Sequence, residues 1–153
     1  MKLISILVAG IFVTTCLADA QAIRVGTFHK PSVAVAFYRS PLWADVLKAK
    51  HTELEAAKKA NDAAKVKDLE AWGGAHQELA DRQLTGEAPI TNILEALSPG
   101  LPEIARRAGV NLIATDLAFA GATVHAVDIT DLLLEYLKAD SRTLSIVRDL
   151  RKR

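Results

Sequence analysis

The chain holds a single cysteine, Cys16, among 153 residues, so it has no partner for an intrachain disulfide. An excess of one charge is also missing. The 19 basic and 18 acidic side chains leave a formal +1, which creates no global field to draw in nucleic acid or to repel an anionic membrane. No apolar run reaches the roughly 20 residues that a transmembrane helix needs; the longest, Leu3 to Val13, falls short. No Gly-x4-Gly-Lys loop is present, which leaves ATP-driven work unsupported. The four histidines, His29, His51, His76 and His125, lack the close spacing of a metal site, and each reads as a surface or packed residue. Asp116, Asp128 and Asp131 read as caps and turn residues rather than paired acids. No catalytic, cofactor or metal site is expected, and the chain is not read as an enzyme.

The first residues carry a pattern of their own. Lys2 supplies a positive end, Leu3 to Val13 an apolar run, and Ala18-Asp19-Ala20 and Ala20-Gln21-Ala22 small-residue cleavage sites, which together read as a secretion signal over residues 1–22. A mature protein beginning between Asp19 and Ile23 is expected, soluble and outside the cytoplasm. A lipid anchor on Cys16 is the rival reading, and Val13-Thr14-Thr15 stands where such a signal usually places Gly, Ala or Ser. Removing 22 of 153 residues leaves one domain's worth of chain.

The stretch from Leu42 to Leu84 organises the rest. It has no proline and is dense in good helix formers, and its apolar residues recur at spacings of three, four and seven. Leu47, Leu54 and Ala57 form one stripe; Val66, Leu69, Trp72 and Leu79 form the other. Asn61-Asp62 is the turn between them, with Asp62 placed to cap the second helix, so the stretch reads as an antiparallel helical hairpin. Gly73-Gly74 interrupts its second helix, which points to a kink, a close approach by a neighbouring helix, or a hinge.

Before the hairpin, Ile23 to Phe28 alternates as a strand and His29-Lys30-Pro31 breaks it. Val33 to Tyr38 reads as a second extended piece or as the first turn of a helix, and Ser40-Pro41 as the start of the hairpin's first helix. After Leu84, Thr85 to Pro89 is a loop, and Ile90 to Leu97 and Leu101 to Ala108 are short helices, the second stopped by Gly109. Val110 to Ala114 and Val124 to Val127 are strands, and Leu132 to Leu137 is a helix capped by Thr130 or Asp128. Residues 141–153 read as a basic tail carrying Leu144, Val147 and Leu150, helical in pattern but expected to fray. The fold class is therefore α+β: a small β body with a protruding hairpin. Strands this few are expected to be completed by oligomerisation. Two basic excesses, Lys58, Lys59, Lys65 and Lys67 at the hairpin tip and Arg142, Arg148, Arg151, Lys152 and Arg153 in the tail, read as solvated helix ends or as a weak membrane-surface or client contact.

This element order, with Ala105-Arg-Arg-Ala-Gly-Val-Asn-Leu-Ile-Ala114 and Val127-Asp-Ile-Thr-Asp-Leu-Leu-Leu134, resembles the Skp (OmpH-like) family of periplasmic chaperones over residues 23–140. The resemblance implies a homotrimer whose subunits share a β body and whose coiled-coil arms hold unfolded outer-membrane or envelope proteins in the periplasm, without ATP or cofactor. The arm here is short, about 28 Å for the 19 residues from Leu42 to Ala60 at 1.5 Å per residue. It is also nearly charge-balanced, with seven basic and eight acidic residues from Leu42 to Leu84. Leu47, Leu54, Val66 and Trp72 are the candidate client contacts. A structural or adaptor protein of the envelope that holds no client is the alternative.

Overall fold

A computed structural model describes residues 22–152 of the chain. The expected secretion signal, with Cys16, and the terminal Arg153 lie outside the described residues. The elements run β1 (Ile23–Thr27), α1 (Lys30–Tyr38), α2 (Pro41–Lys59), α3 (Ala63–Leu84), α4 (Thr91–Leu97), α5 (Leu101–Ala108), β2 (Leu112–Ile113), β3 (Val124–Asp128), α6 (Thr130–Tyr136) and α7 (Ser141–Leu150).

The three strands form one sheet in the order β2-β1-β3, with both pairings parallel. A parallel pair needs a crossover connection, and between β1 and β2 that connection is made of five helices. One chain thus brings its three strands into a single sheet. The strand expected over Val110 to Ala114 shrinks to Leu112–Ile113. Its neighbours still serve the ladder: Arg24 N–H donates to the Asn111 side-chain oxygen at 2.8 Å, and Ala114 N–H donates to the Gly26 carbonyl at 2.9 Å.

Register decides which face is covered. Gly26 lies level with Ile113 and Val127, and this face meets the helices. A Cβ at Gly26 would come within 3.2 Å of Ile129 and 3.3 Å of Ile113, so a larger residue there would push these side chains back by a few tenths of an ångström where the β3–α6 corner closes over the strand. Val25, Leu112 and Ala126 share the opposite face. That face is left partly open, with Ile23 and Leu112 each nearly half exposed.

The core lies against α1. Ser32, Val33, Ala34, Val35, Ala36 and Phe37 are all buried, and Ile90, Ile93, Leu97, Ile104, Ile129, Leu133, Leu137 and Val147 complete the cluster. The extended piece expected over Val33 to Tyr38 is therefore a separate helix. A helix buried on every side carries no amphipathic period, so its β-branched residues look like strand; Pro31 in the first turn starts it. The tail expected to fray is likewise an ordered helix. Asp140 caps α7 by accepting from Thr143 N–H at 2.7 Å, Val147 is buried, and Arg151 bonds both Asp128 and Asp131 at 2.6 and 2.8 Å. Leu133, Leu134 and Leu137 are buried within the same chain, while Tyr136 on the same helix stays exposed.

Several local expectations are met. Ser40 caps α2, Asp62 caps α3 by accepting from Lys65 N–H at 3.0 Å, and Gly109 ends α5 in the left-handed region at φ 62°. Asp128 accepts from Thr130 N–H at 2.8 Å, and the Thr130 hydroxyl accepts from His29 N–H at 3.0 Å, fastening the end of β1 to the start of α6. Gly73-Gly74 gives no such close approach. Helix α3 runs through both, and a Cβ on either would meet nothing within 4 Å. Each glycine costs about 1 kcal/mol relative to alanine in a helix interior, and the chain's own packing requires neither.

Candidate functional site

The junctions of α1 with α2 and of α3 with α4 are fixed by polar groups. The Ser40 hydroxyl donates to the Phe37 carbonyl at 2.6 Å and accepts from Trp43 N–H at 3.4 Å, turning the chain from α1 into α2. Gln83, fully buried near the end of α3, accepts from the Tyr38 hydroxyl at 2.5 Å. Its amide donates to the Pro89 carbonyl at 2.6 Å and to Asn92 Oδ1 at 2.7 Å. One side chain therefore ties α1, α3, α4 and the intervening loop together. Burial pushes the Tyr38 hydroxyl pKa above its ordinary value, against a hydrogen bond from Asn92 that lowers it.

An aromatic cluster grows outward from these junctions. The Trp43 ring centroid lies 5.7 Å from Phe37, 5.2 Å from Tyr38 at an interplanar angle of 90°, 6.2 Å from Trp72 and 5.9 Å from His76. Trp72 and His76, one turn apart on α3, have centroids 4.1 Å apart, and His76 Nδ1 lies 2.9 Å from the Trp72 carbonyl. The Lys50 ammonium sits 5.7 Å from the centroid of the Trp72 ring, in reach of a cation–π contact. Around these rings is a hollow of about 260 Å³, bordered by Tyr38, Trp43, Leu47, Trp72, Gly73 and His76. No known family model, curated protein or solved structure matches this chain. What the site does must be argued from its own geometry.

Of the expected client contacts, the structure brings Leu47 and Trp72 to one hollow and leaves Leu54 and Val66 elsewhere. Leu54 is half-buried farther along α2, and Val66 borders a shallow depression near the tip with Lys58, Asn61, Lys67 and Glu70. The basic tip residues Lys58, Lys59, Lys65 and Lys67 are all exposed, and Lys58 lies 3.5 Å from the Glu55 carboxylate. Tyr38, Lys50 and Gln83 were not singled out by sequence reasoning. The i,i+4 pair Trp72–His76 is the pattern that points to this cluster; Tyr38 and Gln83 meet across 45 residues, a contact without a local trace.

Beyond the carboxyl ends of β1 and β2 two charges are paired. Lys30 contacts Asp116 at 2.8 Å, and the hydrogen bond from Lys30 holds the Asp116 carboxyl below the usual range. Among the described residues, no three His, Cys, Asp or Glu side chains are placed to hold a metal ion, and no helix is long and apolar enough to cross a membrane.

Proposed function

We propose that the protein is an ATP-independent holdase of the periplasm that keeps unfolded envelope proteins from aggregating. The observation that carries this reading is the character of the arm. Leu42, Val46 and Leu47 remain 39%, 40% and 46% exposed along α2, beside the aromatic hollow, on a pair of helices otherwise faced with polar side chains. Apolar surface left open beside charged residues offers an adhesive strip to an unfolded chain without becoming a core. The resemblance to the Skp (OmpH-like) family, carried by Ala105–Ala114 and Val127–Leu134, points to the same activity. In this reading α2 and α3 run antiparallel and project from the body. Copies of the chain meet as a homotrimer through the open sheet face, where Ile23 and Leu112 are each nearly half exposed. Residues 1–22 direct export and are then removed.

With its nearly balanced charge, the arm holds clients by apolar contact more than by charge attraction, so the activity depends weakly on salt. Light scattering of a small unfolded client tests the reading. The protein is expected to slow aggregation without ATP, and Trp72→Ala to lose much of that while keeping its oligomeric mass in analytical ultracentrifugation. An excess of protein that leaves scattering unchanged for small and large clients alike would put the adaptor function in its place.

A further inference from the structure

Residues of α6 and α7 line a groove of about 530 Å³ on the body of the molecule. Leu134 and Val147 form its floor, 3% and 2% exposed, whereas Leu144 borders the same groove and stays 41% exposed. Asp131, Arg148, Arg151 and Lys152 supply the charge. Leu144, Arg148 and Lys152 follow one another at four-residue steps, so they form a ridge about 12 Å long that is apolar at one end and cationic at the other.

The charges in this groove do not cancel. Asp131 lies 2.8 Å from the Arg151 guanidinium, and Lys152 meets Asp149 at 3.1 Å in a pair two-thirds exposed on both sides, of the kind that contributes little. Arg148 is exposed and forms no ion pair among the described residues. A cation in the last turn suits the negative end of a helix, but three beside one carboxylate leave an excess of positive charge along an apolar floor.

We propose that the groove docks a short acidic segment of another polypeptide, in which an apolar side chain is followed about three or four residues later by carboxylates. An extended chain rises about 3.3 Å per residue, so that spacing matches the ridge. The apolar side chain seats on Leu144 above Leu134 and Val147, and the carboxylates reach Arg148 and Lys152. The Arg148 guanidinium can meet a carboxylate with two N–H groups and gives up no ion pair to do so. A flat anionic bilayer would touch the cations on the rim but not the buried floor, which only an entering side chain reaches. Arg142 separates the two occupants: it is exposed on α7 but does not line the groove, and six residues place it about 120° around the helix from Arg148. The groove takes no residue from α2 or α3, so the proposal stands apart from the holdase reading.

Isothermal titration calorimetry with the blocked peptide Gly-Leu-Ser-Gly-Glu-Glu-Gly tests the groove. Saturable binding that weakens as salt rises is expected. Serine in place of the peptide's Leu should weaken it about tenfold, the worth of one buried aliphatic side chain, and Lys in place of both Glu should abolish it. In the protein, Arg148→Glu should weaken binding about tenfold or more, Arg148→Gln by less, and Arg142→Glu should leave it unchanged. Both arginines are exposed, so the variants are expected to keep the wild-type circular dichroism spectrum. No saturable binding, equal binding of the Glu and Lys peptides, or unchanged affinity in both Arg148 variants would overturn the site. Sedimentation with phosphatidylglycerol vesicles tests the rival occupant: vesicle binding lost alike in Arg142→Glu and Arg148→Glu, with no peptide binding, would replace the groove by a lipid-facing surface of α7.

Discussion

Along α1 every residue from Ser32 to Phe37 is buried, whereas along the 19 residues of α2 only Ala57 is. Both segments are helices with proline in the first turn, yet different things hold them helical. For α1 the surroundings decide: packed by α2, α3, α6 and α7 over the sheet, its valines and phenylalanine have no solvent to face. In α2 and α3 the instructions are local, with caps at Ser40 and Asp62, good helix formers between, and a narrow seam. Body and arm thus differ in where stability resides, and substitutions can pull the two apart.

The largest separation is expected from core truncation. Leu133→Ala, at a fully buried position, should cost about 2–5 kcal/mol in urea unfolding followed by circular dichroism. Leu54→Ala, in the half-buried seam, should cost less than about 1.5 kcal/mol. Equal losses would erase the distinction between body and arm. At the boundary, Gln83→Leu leaves the Tyr38 hydroxyl, the Asn92 side chain and the Pro89 carbonyl without their partner, and a loss of about 1–3 kcal/mol is expected. An unchanged melting temperature for that variant would show that the arm is anchored by something else. Gly74→Ala tests the arm alone: nothing crowds the position, and stability should rise by about 1 kcal/mol with no change in urea m-value.

The smallest effect concerns acid. Burial raises the Asp128 carboxyl pKa, but the hydrogen bonds from Thr130 and the Arg151 guanidinium outweigh it and hold the pKa below the ordinary value. A depressed carboxyl pKa contributes stability above the unfolded value, about 3.9 for Asp, and loses it as pH falls through the lower folded value. The clasp is partly exposed, so Arg151→Ala should cost less than about 1 kcal/mol at neutral pH. Thermal melts between pH 6 and pH 2 should show the gap between variant and wild type narrowing below about pH 4. A gap that does not change with pH would remove the clasp as its cause.

These differences also mark what the sequence can be read for. Helices α2 and α3, both short helices and the caps at Ser40, Asp62 and Gly109 are legible because each rests on residues within a turn of one another. Helix α1 is not, since burial on all sides removes the period that separates helix from strand. The α7 tail is misread for a related reason: the partners of its Arg151, Asp128 and Asp131, precede that residue by 23 and 20 positions. The aromatic hollow is half legible. Trp72 and Leu47 stand out as apolar residues on the arm, but Gly73 draws notice only as a defect, and its position opposite Leu47 emerges once the two helices are set side by side.

The central strand has a consequence for the order in which the molecule comes together. β1 is made first, yet its partners come late: Arg24 meets Asn111 across 87 residues, and His29 meets Thr130 across 101. Contacts so distant in sequence slow folding, whereas α2 and α3 need only close a tight turn. In a chain that lengthens from its amino end, the arm can form early while both edges of β1 and the apolar surface of α1 wait for residues 112–128. A half-finished molecule therefore exposes an unpaired strand on two sides, the form most ready to pair with another chain. Val124–Asp128 closes that window.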